Sequence, residues 1–140
     1  MSVRGIGTDL VHVGQLREQL ADAASVFEEM TFTPEERAAA RSRASRDPAR
    51  HLAGRYAAKE AFIKAWGNAR FGQAPALQAL DMRDIEVIQD AHGRSGLRLH
   101  GADDAAFQQT LINGSIQLSL SHDGDYALAF VVIEQAGDTP

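Results

Sequence analysis

Two stretches near the C-terminus, "SIQLSLSH" and "DYALAFVVIE", alternate between apolar and other residues and are separated by little more than an Asp123-Gly124 dipeptide. Alternation with a period of two marks half-buried strands, and Asp-Gly between them is a tight-turn signal, so the chain contains an antiparallel hairpin. The opening "SVRGIGTDLVHV" adds a strand of short, β-branched character interrupted by two glycines. A helix starts at "TFTPEERAAARSRA", where Thr33 is placed as N-cap, Pro34 fits the first turn and Glu36 completes a capping-box spacing. A second begins at Asp47-Pro48 and is expected to stop at Gly67. The punctuated "NARFGQAPALQAL" is a connection. "RDIEVIQDAHGRSGLRLHG" reads as two short strands around a polar turn at Gly93 to Gly96, and "ADDAAFQQTL" as a helix with acidic residues in its first turn. This order predicts an α+β fold with helices against one antiparallel sheet, a single domain over residues 1–140, and a frayed tail "QAGDTP".

Charge is unevenly spread. Residues 37–70 carry nine basic side chains against two acidic ones, a local balance of +7, while the remainder carries five basic and seventeen acidic, a balance of −12. A basic patch on an acidic protein points to an anionic partner engaged at one place, not to general attraction for nucleic acid or membrane; for any single arginine, a solvated helical face explains it as well. No segment has the apolar length of a membrane span, and the first residues lack the pattern of a secretory signal. With no cysteine in the chain, disulfide and thiolate chemistry are excluded. The expected location is a bacterial-type cytoplasm.

The helix "GRYAAKEAFIKAWG" raises the chemical question. At ~100° per residue, Leu52, Tyr56, Ile63 and Trp66 form a core-facing stripe with Lys59 in its middle. Glu60 and Lys64 share a strip with Ala53 and Ala57, whose small side chains let another backbone or a ligand approach, and Arg55 and Phe62 flank the opposite side. One reading is a Glu60–Lys64 pair four residues apart with Lys59 snorkelling its stem over the core. The first strand supplies another. There Val3, Gly5, Gly7, Asp9, Val11 and Val13 share one face and Ile6 and Leu10 the other, so Asp9 is a carboxylate among apolar neighbours that needs a cation or donors. Asp9 and Glu60 could share a divalent ion, and two carboxylates without histidine or cysteine favour Mg²⁺. A buried pair with Lys59, or a turn-type cap, would satisfy Asp9 equally. Ser121 and His122 at the end of a strand suit a phosphate group, or are a polar outer face and a turn histidine.

Three segments, "GIGTDLV", "AGRYAAKEAFIKAWG" and "SLSHDGDYALAFV", together resemble the holo-[acyl-carrier-protein] synthases, the short single-domain class of 4′-phosphopantetheinyl transferases; "FTPEER" and "DIEV" fall where that family has comparable segments. The resemblance implies the fold of that family and a Mg²⁺-dependent transfer of phosphopantetheine from coenzyme A to a serine of apo acyl carrier protein, or of a carrier domain, releasing adenosine 3′,5′-bisphosphate. It implies that Asp9 and Glu60 are the metal ligands, and that Arg55 and His122 hold nucleotide phosphates, the 3′-phosphate above all. Lys64 then lies close to the pyrophosphate, and Lys59 and Ser121 are grouped with the coenzyme A contacts. Glu60, or a water on the metal, would be the base. A homotrimer with sites at subunit boundaries is implied as well, with the +7 segment docking an acidic carrier.

The chain departs from the family in three places. Its middle turn is Gly93-Arg94-Ser95-Gly96 where Gly-Lys-Pro is common, the loop after the long helix is "GNARFG", and the helix after the first strand keeps only Arg17 among Gln15, Glu18 and Gln19. Carrier docking is therefore expected to lean on Arg37 to Arg50. A small RNA- or carrier-binding module and a Mg²⁺-dependent phosphohydrolase on the same two acids are the competing functions; the former lacks the aromatic platform of a single-strand binder.

Overall fold

The computed structural model describes residues 1–137. Strand β1 (Ser2–His12) leads into α1 (Val13–Ala21), the short α2 (Phe27–Thr31), α3 (Pro34–Ala40) and the long α4 (Pro48–Ala69). The hairpin β2 (Ile85–Gln89) and β3 (Ser95–Leu99) follows, then α5 (Gly101–Thr110), β4 (Gly114–Asp123) and β5 (Tyr126–Gln135). The α+β class is as expected, but the antiparallel strands divide into two sheets: a three-stranded one in the order β1-β5-β4, and the separate β2-β3 pair. Of the tail, Gln135 is the last residue of β5, and residues 138–140 lie outside the described residues. Among the described residues no helix is long and apolar enough to cross a membrane.

Thr33 caps α3 by accepting from the Glu36 N–H at 3.1 Å while Glu36 reaches back to the Thr33 N–H at 2.8 Å, the predicted capping box. The helix ends at Ala40, shorter than its sequence pattern suggests. Asp47 caps α4 as expected, but Gly67 does not stop it; the helix runs on to Ala69. At the terminal hairpin Asp123 pairs with Tyr126, so the central turn residues are Gly124 and Asp125, one step along from the predicted dipeptide. Gly124 takes a φ of 54°, which a first central hairpin residue needs and glycine adopts freely.

The packing of α4 on β1 positions the site. A Cβ at Gly5 would collide with the carbonyl of Ala65, and one at Gly7 with the carbonyl of Ala61. The two glycines that weaken β1 as a strand therefore let the helix backbone lie directly on it, with Ala61 and Ala65 wholly buried in the contact. Asp9 follows Gly7 on the same inner face and so reaches the flank of α4. Val3 leaves that face, because a bulge between Val3 and Gly5 turns it outward. The other face of the three-stranded sheet is open: Ile6 and Leu10 are 51% and 62% exposed, with Tyr126, Leu128 and Phe130 beside them.

Candidate active site

Asp9 and Glu60 line one cavity of about 260 Å³, together with Tyr56 and with His12 and Gln15 at the start of α1. Lys64 donates to Asp9 Oδ1 at 2.9 Å, so the cation partner of Asp9 is Lys64 and not Lys59, and the local pairing of Lys64 with Glu60 is replaced by this helix-to-strand contact. Tyr56, expected in the core, is half-buried; its ring is held edge-on against Phe27 at 5.2 Å. Burial, then the neighbouring Glu60 and Asp9 carboxylates, pushes its phenol up to about 12. It therefore stays a proton donor beside two carboxylates. All the carboxyl donors here are oxygens, and no group of three or more histidine, cysteine or acidic ligands exists among the described residues. Such a pair fits a hard cation that keeps water and takes its remaining ligands from phosphate oxygens.

A second cavity of about 320 Å³ lies at the N-terminal end of α4, lined by Arg46, Arg50, His51, Arg55 and His122. Arg55 is only 8% exposed, yet no ion pair or hydrogen bond satisfies it among the described residues. Desolvation weakens its hold on the proton, and the Glu36 carboxylate, which is paired with Lys59, offsets this only in part. His122 comes in from β4 and its ring rests against Gly54, where a Cβ would stand 3.0 Å from it. Its Nε2 lies 3.2 Å from the carbonyl of Arg50, which can only accept, so Nε2 carries the proton. Burial lowers its pKa. His51, four residues before Arg55 and passed over in the sequence, is pushed down to about 4 by burial and by Arg55 and His122, and its Nε2 is buried without a partner.

Two predicted site residues do not reach either cavity. Lys59 is fully buried: its ammonium donates to Glu36 Oε1 and to the Met82 carbonyl, each at 2.8 Å, and is no coenzyme A contact. The same Glu36 accepts from the Val87 N–H at 3.0 Å, so one carboxylate ties α3, α4 and β2 together. Ser121 lies in a row with Leu128 and Leu10 on the open face of the sheet, because strand alternation sends it away from His122. Ala53 and Ala57 have no exposure, so their small size accommodates the packed core, not a substrate.

A family model described as the 4′-phosphopantetheinyl transferase superfamily matches residues 5–131. The chain belongs to that family. It is 48% identical over 130 residues to a holo-[acyl-carrier-protein] synthase of Corynebacterium glutamicum, covering 91% of this chain and 96% of that protein. A holo-[acyl-carrier-protein] synthase of Mycobacterium tuberculosis is 46% identical over 134 residues, 96% of this chain and 98% of the relative. Among solved structures, the ACPS–CoA complex of Chronobacterium ammoniagenes superposes with a TM-score of 0.89 at 41% identity, over 98% of this chain and all of the other. The Asp9–Glu60 cavity and the Arg55–His122 cavity lie apart on this chain. Asp9 stands on β1, one edge of the three-stranded sheet, and His122 on β4, the other edge, with β5 between them.

Proposed function

We propose that this protein is a holo-[acyl-carrier-protein] synthase, a single domain over residues 1–140 acting in the cytoplasm. The serine oxygen of an apo carrier protein or carrier domain attacks the phosphorus bearing the pantetheine arm of coenzyme A. The bond to adenosine 3′,5′-bisphosphate breaks, and the serine proton passes to a base. The observation that carries this reading is the convergence of Asp9 and Glu60, from distant parts of the chain, on one cavity with Lys64 at 2.9 Å from Asp9. Asp9 and Glu60 would hold Mg²⁺, which neutralises diphosphate charge and orients it. Lys64 is half exposed and free to turn from Asp9 to a phosphate oxygen, and Glu60, which lines the same cavity as Asp9, would act as base. Arg55 and His122 would take the 3′-phosphate, which would give Arg55 a direct ion pair.

In this reading the two half-sites belong to neighbouring copies in a homotrimer, one chain's Asp9 edge facing the next chain's His122 edge. A heterologous contact of that kind closes into a ring, and the apolar open face with Ile6, Leu10 and Phe130 gives it area to bury. Carrier docking falls to Arg43, Arg46 and Arg50, which have no acidic partner among the described residues; Glu28 takes up Arg37 and Arg41, and Asp47 takes up Arg17. Mass spectrometry of apo carrier protein incubated with coenzyme A and Mg²⁺ tests the reading: a gain of one phosphopantetheine is expected. Phosphate release from an unmodified carrier would instead favour a hydrolase.

A further inference from the structure

Strand β1 ends on His12, and the cavity of Asp9 and Glu60 runs along the free edge of that strand, so His12 lines it as well although it leaves the sheet on the opposite face. The imidazole is held from three directions. Its Nδ1 accepts from the Gln15 N–H at 3.1 Å and so caps α1. The ring stands edge-on to Tyr126, its ladder partner on β5, with the centroids 5.3 Å apart. Gly14 leaves the room it occupies: a Cβ there would come within 2.9 Å of His12 Cε1. The cap also decides where the ring carries its proton. A backbone N–H can only donate, so Nδ1 offers it a lone pair and the neutral ring keeps its hydrogen on Nε2. Among the described residues nothing accepts from that Nε2–H. His12 is therefore no base for the cavity but a fixed neutral donor, beside two carboxylates that only accept.

We propose that His12 is a substrate-binding residue of this site, its Nε2–H donating to a non-bridging oxygen of the coenzyme A diphosphate. The inference rests on the transfer reading above. A diphosphate held at Asp9 and Glu60 through a cation keeps oxygens that the cation does not cover, and these need donors. Lys64 supplies one from α4, and His12 supplies another from the junction of β1 and α1. A donor already held by its own cap and by an aromatic neighbour needs no rearrangement when charge grows on the phosphoryl oxygens. Its hydrogen bond therefore strengthens in the transition state, and His12 acts on kcat as well as on affinity.

Two substitutions separate the cap from the donor. His12→Ser keeps a good N-cap acceptor and loses the donor, so it should melt close to the parent. His12→Gln sets an amide N–H near the place of Nε2 but gives up the acceptor at Nδ1, so it should melt a few degrees lower. Activity should rank the other way. Carrier modification by His12→Ser is expected to fall about tenfold or more in kcat, while His12→Gln recovers to within about threefold of the parent. Calorimetry with Mg²⁺ should show weaker coenzyme A binding by His12→Ser than by His12→Gln. In phosphorus NMR of the bound ligand, the diphosphate resonances should move in His12→Ser and the 3′-phosphate resonance should not. Parental turnover and coenzyme A binding in His12→Ser overturn the assignment. So does activity that follows Tm across the two variants, which would leave His12 a helix cap alone. Failure of the parent protein to modify a carrier is a separate result that removes the transfer reading itself.

Discussion

Lys59 Nζ donates to Glu36 Oε1 at 2.8 Å with both side chains shut away from solvent. Phe32 presents its ring 5.6 Å from the ammonium, and the Met82 carbonyl accepts a second hydrogen bond from it. Desolvation lowers the lysine pKa and the Glu36 charge raises it again, so the pair persists only as a pair. Lys59→Met leaves the Glu36 carboxylate buried alone and is expected to cost about 3–5 kcal/mol, lowering Tm by roughly 10 °C or more. The double variant with Glu36→Gln should recover part of that loss. Melting of the single variant at the parent temperature would show that the pair contributes no stability.

This pair also marks the limit of what the sequence could show. The capping box of Thr33 and Glu36 was legible because it is a local spacing, and Lys59 on the core stripe was legible from helical periodicity. Their meeting was not, because it depends on how α3 docks against α4, and Lys59 was accordingly grouped with the ligand contacts. Gly5 and Gly7 looked like defects in a strand until the helix backbone was found lying on them. The division into two sheets and the short helix α2 are likewise not legible in the sequence, and α1 is expected only through the family resemblance, although Val13, Leu16 and Leu20 have the spacing of a helix face. Tyr56 was assigned to the core by its period alone, and only the cavity around it reveals its second role.

Asp9 and Glu60 make the most direct prediction. Mg²⁺ should raise the Tm of the parent protein, since a ligand bound only by the folded state stabilises it. Asp9→Ala and Glu60→Ala should lose both this shift and carrier modification while keeping the parent circular dichroism. A Mg²⁺-dependent Tm shift surviving in either variant would remove that residue from the metal site.

His122 should make coenzyme A binding depend on pH. Burial, with Arg50 and Arg55 nearby, holds its pKa below the ordinary histidine value, whereas a bound phosphate favours the imidazolium and raises it. Between those two values binding takes up a proton, so affinity falls as pH rises. The phosphate's own second ionisation works the other way, and comparison with His122→Gln on the same ligand cancels it. Calorimetry across pH 5.5 to 8, a range of about one unit either side of ordinary histidine, should show the parent losing affinity relative to the variant. With 3′-dephospho-coenzyme A the two should run parallel; the same pH slope with that ligand would detach His122 from the 3′-phosphate.

Asp103 is 1% exposed and its Oδ2 has no partner, while the Asp81 N–H reaches Oδ1 at only 3.4 Å. Burial, reinforced by Asp84 and Asp81, pushes its carboxyl up to about 6. A raised folded-state value means that the protonated acid is the stable form, so stability is lost as pH rises from the ordinary aspartate range towards 6. Asp103→Asn removes the charge and should raise Tm at pH 7 by a few degrees, with the gain vanishing near pH 4. Thermal melts at those two pH values decide it: an equal gain at both would trace the effect to something other than ionisation.

The placement of Asp9 and His122 on opposite edges of one sheet predicts complementation between inactive chains. Asp9→Ala lacks the metal edge but keeps Arg55 and His122, and the double variant Arg55→Ala with His122→Ala keeps Asp9 and Glu60. Each homogeneous protein should be nearly inactive. If sites form between copies in a ring, an equal mixture assembled together has about one boundary in four with both intact edges, since each boundary draws its two chains independently. Co-expressed and co-purified chains should therefore regain about a quarter of parental turnover, whereas the two proteins purified apart and mixed only at assay should not. No recovery in co-assembled samples that light scattering shows to be trimeric would place the whole site within a single chain.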